Sequence, residues 1–322
     1  MRILIVNDTV LPARLYGGAE RVIWWLGKEL VRLGHKVTFL IKKGSSCPFA
    51  EVLYYDSHIP LNDQIPIHTD FVHLHLQPPE RIHKPYLVTH HGNWHNRDEF
   101  DINTVFVSRN HAGRHASQTF VYNGLDPEEY GPPNLDKTRK YLLFLAYAKR
   151  PAKNLKHCAY IARKTDNVLA VVGGWGAWWR WRPWIEYKGF LGGEEKNAVL
   201  RHSKALLFPV RWHEPCAISL LEALYFGMPV FGTTYGCLPE IVTPKTGFLS
   251  NSLSELVEAV RFVERYDPHF IHKYALDKFS VQRMTRDYLN LYEKVLRGHT
   301  LNPHPPRNPG NHRWGRLLPM ED

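Results

Sequence analysis

Apolar positions along the chain fall into short runs that alternate with longer stretches of helical spacing. Arg2 to Asn7 is a β-rich run, Val22, Leu26, Leu30 and Leu33 recur at helical intervals up to Gly34, and Lys36 to Ile41 is apolar again. This predicts a strand, a helix over Ala19 to Leu33, and a second strand. Further strands are expected at Glu51 to Tyr55, Asp70 to Leu76, Pro85 to Thr89, Thr104 to Ser108 and Thr119 to Tyr122, with a helix starting near Arg109. Pro127 to Asp136, with Gly131-Pro132-Pro133, reads as a linker. Beyond it strands are predicted at Tyr141 to Ala146, Val168 to Val172, Ala205 to Phe208 and Thr246 to Leu249. Helices are predicted up to Lys164, over Glu194 to His202, over Ala217 to Phe226, over Ser252 to Arg265 and over Val281 to Leu296. In the last, Met284, Tyr288, Leu291 and Val295 share a face. Ser252 with Glu255 three positions on forms a capping-box pattern. Alternation of this kind predicts an α/β protein built on parallel sheets.

A chain of 322 residues predicts about two domains. The boundaries expected are 1–133, 134–280, a final helix at 281–298 and an irregular tail at 299–322, poorly ordered or draped on the surface. No apolar run reaches the ~18–20 residues of a membrane-spanning helix, and Asp8 interrupts the first apolar run too early for a secretory leader. Cys47, Cys158, Cys216 and Cys237 are scattered without a Cys-x-x-Cys pair, which predicts free thiols and a cytoplasmic protein. Residues 1–136 carry 13 Lys/Arg against 15 Asp/Glu, whereas 137–322 carry 28 against 16. A basic second half suits a phosphate-bearing ligand and admits peripheral contact with an anionic membrane face, while nucleic acid is a weaker expectation. The opening β-α-β lacks G-x-G-x-x-G, which disfavours an NAD enzyme.

The most informative stretch is Lys204 to Val242. An apolar strand broken by Pro209 leads into a polar loop holding Glu214, and a helix carrying Glu222 follows before Gly227 and Pro229. Both carboxylates then address the crevice beyond the carboxyl end of a strand, where open α/β sheets bind ligands. Acceptor-only groups there suit a ligand rich in hydroxyls.

Trp212-His213-Glu214-Pro215, Glu222-Ala223-Leu224, Gly227-Met228-Pro229-Val230 and Leu238-Pro239-Glu240-Ile241-Val242 closely resemble, in order, the Glu-x7-Glu signature of retaining GT-B glycosyltransferases, family 4 in particular. The resemblance implies two Rossmann-like domains facing each other across a cleft, with the last helix crossing back to the first. Gly17 and Gly18, in a Gly-Gly-Ala-Glu run, match the family position where backbone approaches the donor diphosphate beside a helix N-terminus. Thr89-His90-His91-Gly92 matches the strand end where a family histidine faces the donor sugar, which implies that role for His91 and a structural one for His90. Lys153 falls on the family lysine that stabilises the leaving diphosphate, whereas the family arginine falls on Ala148, so Lys149 or Arg150 would supply the second cation. Glu214 would hold the donor sugar hydroxyls and Glu222 the ribose. Cys216, Ala217, Ile218 and Ser219 would offer backbone amides to sugar or phosphate, and Gly189, in Lys188-Gly189-Phe190, would lie at the turn that meets the base.

His90, His91 and His95 lie close enough in sequence to weigh zinc, but two are adjacent and no cysteine or carboxylate completes a ligand spacing. No Asp-x-Asp of the GT-A kind occurs, so a metal-independent site without cofactor is expected. Residues 175–184, WGAWWRWRPW, hold five tryptophans and two arginines: a stacking platform, a membrane-interface patch or a self-packed loop. The expectation is transfer of a hexosyl-type sugar from UDP- or GDP-sugar to a saccharide or lipid-linked glycan hydroxyl. The alternatives are a GT-B sugar-nucleotide epimerase or hydrolase, and a non-enzymatic basic binder of nucleic acid or membrane.

Overall fold

The computed structural model describes residues 1–13, 15, 17–93, 98–175, 182–308 and 316–321. They form two compact units, the first taking in 1–13, 17–93, 98–125 and 281–308, the second 15, 126–175, 182–280 and 316–321.

The first unit begins with β1 (Arg2–Val6), α1 (Gly18–Arg32), β2 (Lys36–Ile41), β3 (Glu51–Tyr54) and the short α2 (Leu61–Gln64). β4 (Phe71–Leu74), β5 (Tyr86–His90), β6 (Thr104–Phe106) and α3 (Arg109–Arg114) follow. The six strands make one parallel sheet in the order β3-β2-β1-β4-β5-β6. Leu4, Val6, Leu40, Val72, Leu74 and Val88 cluster in its core, and α1 buries Val22, Ile23, Trp25, Leu26 and Leu30. Thr119 to Tyr122 is not a strand of the sheet; only one bridge, Phe106 to Phe120, forms there.

The second unit runs through β7 (Tyr141–Leu145), α4 (Leu155–Lys164), β8 (Val168–Val172), β9 (Ile185–Gly189), α5 (Gly193–Arg201) and β10 (Ser203–Phe208). It continues with α6 (Ile218–Tyr225), β11 (Val230–Gly232), α7 (Leu238–Ile241), β12 (Gly247–Leu249), α8 (Leu253–Arg261) and α9 (Pro268–Phe279). Its parallel sheet has the order β12-β11-β10-β7-β8-β9. Half of the capping box at Ser252 forms: its hydroxyl accepts from the Glu255 N–H, but the Ser252 N–H donates to Ser250 Oγ, which in turn donates to Glu255 Oε2. The helix ends at Arg261 and gives way to a 3-10 turn at Val263–Arg265.

The stretch read as a linker is partly built into the second unit. Asp126 caps a 3-10 turn at Pro127–Glu129, and Tyr130 is buried, so residues 126–133 join that unit rather than the first. After α9 the chain enters α10 (Val281–Leu296), which belongs to the first unit and packs on α1 and β5. Its buried face holds Met284, Tyr288 and Val295 with Val281, Thr285 and Tyr292, while Leu291 is only half-buried. Among its described residues the tail contains no helix, yet it is pinned. Asn302 is buried, donating to the Ile102 and Thr104 carbonyls at 2.8 and 2.9 Å and accepting from Ser117 Oγ at 2.6 Å. Further on, the Leu318 N–H donates to the Arg211 carbonyl at 2.8 Å and Arg211 Nε donates back to the Leu318 carbonyl at 2.7 Å.

Candidate functional site

In the second sheet the strand order reverses between β7 and β10. Loops leaving the carboxyl ends of two such strands diverge, which opens the crevice where ligands bind in open α/β folds. The loop after β7 carries Lys149, Arg150 and Lys153, and the loop after β10 carries Trp212 and Glu214.

These two loops meet in a buried ion pair. Lys153 Nζ donates to Glu214 Oε2 at 2.6 Å, with side chains 9% and 7% exposed. The same oxygen accepts from Trp212 Nε1 at 2.7 Å. The Lys153 ammonium lies 5.0 Å from the Trp212 ring centroid and 5.2 Å from that of Phe208, and the Arg150 guanidinium stacks over Trp212 at 4.0 Å. Cations over aromatic faces are held by the ring quadrupole, so the indole orients two positive charges and one carboxylate at once. Local backbone fixes Lys153: Asn154 is left-handed (φ 60°, ψ 43°), a conformation asparagine tolerates, and its Nδ2 donates to the Pro209 carbonyl at 2.8 Å. Glu214 is fixed from behind by the Cys237 N–H, which donates to its carbonyl at 2.9 Å, and by Gly236 packed against its backbone.

Glu222, in α6, has a separate set of partners. Its Oε1 accepts from Tyr130 Oη at 2.9 Å and pairs with Lys196 Nζ of α5, all three residues being buried. Lys196 also lies over the Tyr130 ring at 5.3 Å. No motif marks Lys196 or Tyr130. Glu194-Glu195-Lys196 has the composition of an exposed helix turn, and nothing local marks the lysine as buried.

The remaining positions divide between the units. Lys149 and Arg150 are exposed. The Gly189 carbonyl accepts from the Gly173 and Gly174 N–H groups at 2.8 and 3.2 Å. Ala217 is the N-cap of α6, and Ile218 and Ser219 begin its first turn. Cys216 hydrogen-bonds Cys237; burial, then that contact, push the Cys237 thiol well above its ordinary range. In the first unit Gly17 caps α1 and Gly18 is its first residue. Gly17 has φ 143°, and an added Cβ would lie 2.8 Å from Glu20 Oε2 and 2.9 Å from the Ala13 Cβ, so only glycine fits. His91 follows β5 immediately and bonds His75. His90 is enclosed by Phe100, Phe106, His111 and His115. His95 and 176–181 of the tryptophan-rich stretch lie outside the described residues; Trp175, beside them, is 58% exposed. Among the described residues no group of three or more His, Cys, Asp or Glu is placed to hold a metal ion, the four cysteines are free, and no helix is long and apolar enough to cross a membrane.

Residues 127–269, which include this buried pair and Glu222, match the family described as Glycosyl transferases group 1. A search of curated proteins finds no match. Among solved structures, AviGT4, a glycosyltransferase involved in avilamycin A biosynthesis, aligns with a TM-score of 0.76 at 22% identity, covering 93% of this chain and 99% of its own. Sucrose-phosphate synthase from Thermosynechococcus elongatus aligns at 0.70 and 14% identity, covering 92% and 100%. HepE from Anabaena, solved with UDP and glucose, aligns at 0.65 and 14% identity, covering 90% and 99%. The two-unit fold is thus the GT-B fold, and the stretch of the second unit that holds the buried pair is similar to glycosyl transferases group 1.

Proposed function

We propose that the protein is a retaining, metal-independent glycosyltransferase of the family 4 type, moving a hexosyl unit from UDP- or GDP-sugar to a hydroxyl of a saccharide or lipid-linked glycan. The observation that carries this reading is the buried Lys153–Glu214 pair at the strand-order reversal, inside the stretch that matches group 1. That HepE was solved with UDP and glucose supports a nucleotide-sugar donor.

In this reading Glu214 accepts from donor sugar hydroxyls while Lys153 and Arg150 hold positive charge where the diphosphate departs. Preorganised charge of this kind is worth most in a site from which water is excluded. Glu222 takes the ribose hydroxyls. A carboxylate offers about four lone-pair positions, so it can serve Lys196, Tyr130 and a ribose together. Gly17, Gly18 and the start of α1 suit the diphosphate, and His91 faces the sugar. In the transfer the acceptor oxygen bonds to the anomeric carbon as the bond to phosphate breaks. The acceptor proton passes to a phosphate oxygen on the same face, which keeps the anomeric configuration.

Incubation with a panel of UDP-, GDP- and ADP-sugars and saccharide acceptors tests this directly. We expect nucleoside diphosphate release from one donor that requires acceptor and persists in chelator. Release without any acceptor would mark an epimerase or hydrolase instead, and loss of release in chelator would refute metal independence.

A further inference from the structure

Two neighbouring strands of the first unit bring three histidine rings into a stack. β4 and β5 pair in parallel with His73 opposite Leu87 and Leu74 opposite Val88, so His75 and His91 each lie just past the carboxyl end of a strand. The His73 and His75 rings stack with centroids 4.2 Å apart, those of His75 and His91 at 5.1 Å. His75 Nδ1 and His91 Nε2 share a hydrogen bond of 2.8 Å. Burial lowers the proton affinity of all three imidazoles, His91 to a pKa of about 4 and His73 and His75 well below their ordinary value. Each is therefore a neutral ring with one N–H at neutral pH.

The innermost ring is fully specified. Thr89 Oγ1 donates to Tyr288 Oη at 3.0 Å, so its contact with His73 Nε2 at 2.7 Å has the histidine as donor. His73 Nδ1 then accepts from Tyr292 Oη at 2.7 Å. Both tyrosines come from α10, which thereby sets the ring that His75 stacks upon.

The outer pair has two possible proton positions. If His91 Nε2 were the donor, His75 Nδ1 would accept and the His75 proton would lie on Nε2. That nitrogen is buried and, among the described residues, has no hydrogen-bond partner, so the ring would strand a donor away from water, at the full desolvation penalty. If His75 Nδ1 donates, Nε2 is a bare lone pair. Stranded N–H groups are the rarer defect in folded proteins, at least among backbone groups. The second arrangement leaves the His91 proton on Nδ1.

We infer that His75 is a positioning residue that fixes the tautomer and orientation of His91, so that His91 presents a neutral Nδ1–H donor to an oxygen of the bound sugar. The sugar in that statement rests on the function proposed above; the tautomer does not. In this arrangement His91 recognises an acceptor oxygen and neither removes a proton nor carries charge.

Nitrogen-15 NMR of the histidine side chains at neutral pH decides the tautomer, with the His91 signals identified by their loss in His91→Gln. The expected result is a proton on Nδ1 of both His75 and His91; a proton on Nε2 of His91 overturns the inference. His75→Gln keeps an N–H donor for His91, whereas His75→Phe keeps the ring stack and removes the hydrogen bond. We expect kcat for sugar transfer to fall by roughly 100-fold in the phenylalanine variant, with little change in KM, and to recover in large part in the glutamine variant. Equal losses in both variants would contradict a positioning role. An Nδ1–H His91 in a protein that turns over no nucleotide sugar would leave the tautomer standing and remove the functional reading.

Discussion

Replacing Glu214 with alanine is expected to abolish nucleoside diphosphate release and to destabilise the second unit by about 3–5 kcal/mol. The stability loss follows from burial: Lys153, 9% exposed, would be left between the rings of Phe208 and Trp212 with its carboxylate partner gone. Trp212 Nε1 would lose its acceptor at the same time. The double variant Lys153→Met with Glu214→Leu separates the two effects. Removing both charges together should restore most of the stability, because a buried pair exchanged for apolar side chains is often neutral, but should restore no turnover. Urea unfolding of the three proteins reads the first effect and donor turnover the second. Unchanged stability in Glu214→Ala would mean that the pair is not buried in solution.

The next largest effect is expected at Gly236, which carries no chemistry. Its φ is +67°, and a Cβ added there would lie 2.2 Å from the Glu214 nitrogen and 2.3 Å from the Glu214 oxygen. Both are backbone atoms, so no side-chain rotation relieves the overlap. Left-handed backbone costs a non-glycine residue ~1–2 kcal/mol, and forced overpacking adds ~1–3 kcal/mol. Gly236→Ala is therefore expected to lose roughly 2–5 kcal/mol in total, and to displace the loop that presents Glu214. Gly193→Ala is the control, since Gly193 has φ +50° with open space around it. Thermal unfolding of the two variants side by side gives the test, and equal losses would refute the close approach at Gly236.

Much of this arrangement could be read in the residues, and the reason is local. The Glu214-to-Glu222 spacing, the apolar strand before it and Gly227 after it are all contained in one strand-loop-helix, as are Lys153 and the helix that follows it. What escaped was non-local or weakly periodic. Helix α9 was not expected, although Asp267 caps it and Pro268 opens it in a sequence-visible way; Ile271, Ala275 and Phe279 are its only buried residues. β9 gives no strand signal in the sequence, where only Lys188-Gly189-Phe190 stands out, as a turn; it is an edge strand with only its two end residues buried. In α10 the apolar pattern pointed to Leu291, whereas the buried position is Tyr292, whose hydroxyl is needed by His73. The tail is held by backbone hydrogen bonds and by side chains such as Asn302 and Arg211, whose partners lie far away in sequence. Lys196 and Tyr130 reach Glu222 from other elements.

Under the proposed function the crevice of the second unit takes a nucleoside diphosphate through Glu222. Calorimetric titration of UDP, GDP and ADP into the wild-type protein and into Glu222→Gln measures this most directly. One of the three is expected to bind the wild type, with an affinity that falls by about 10- to 100-fold in the variant, the value of a hydrogen bond to a charged acceptor. Binding of none of the three, or equal binding to both proteins, would contradict it.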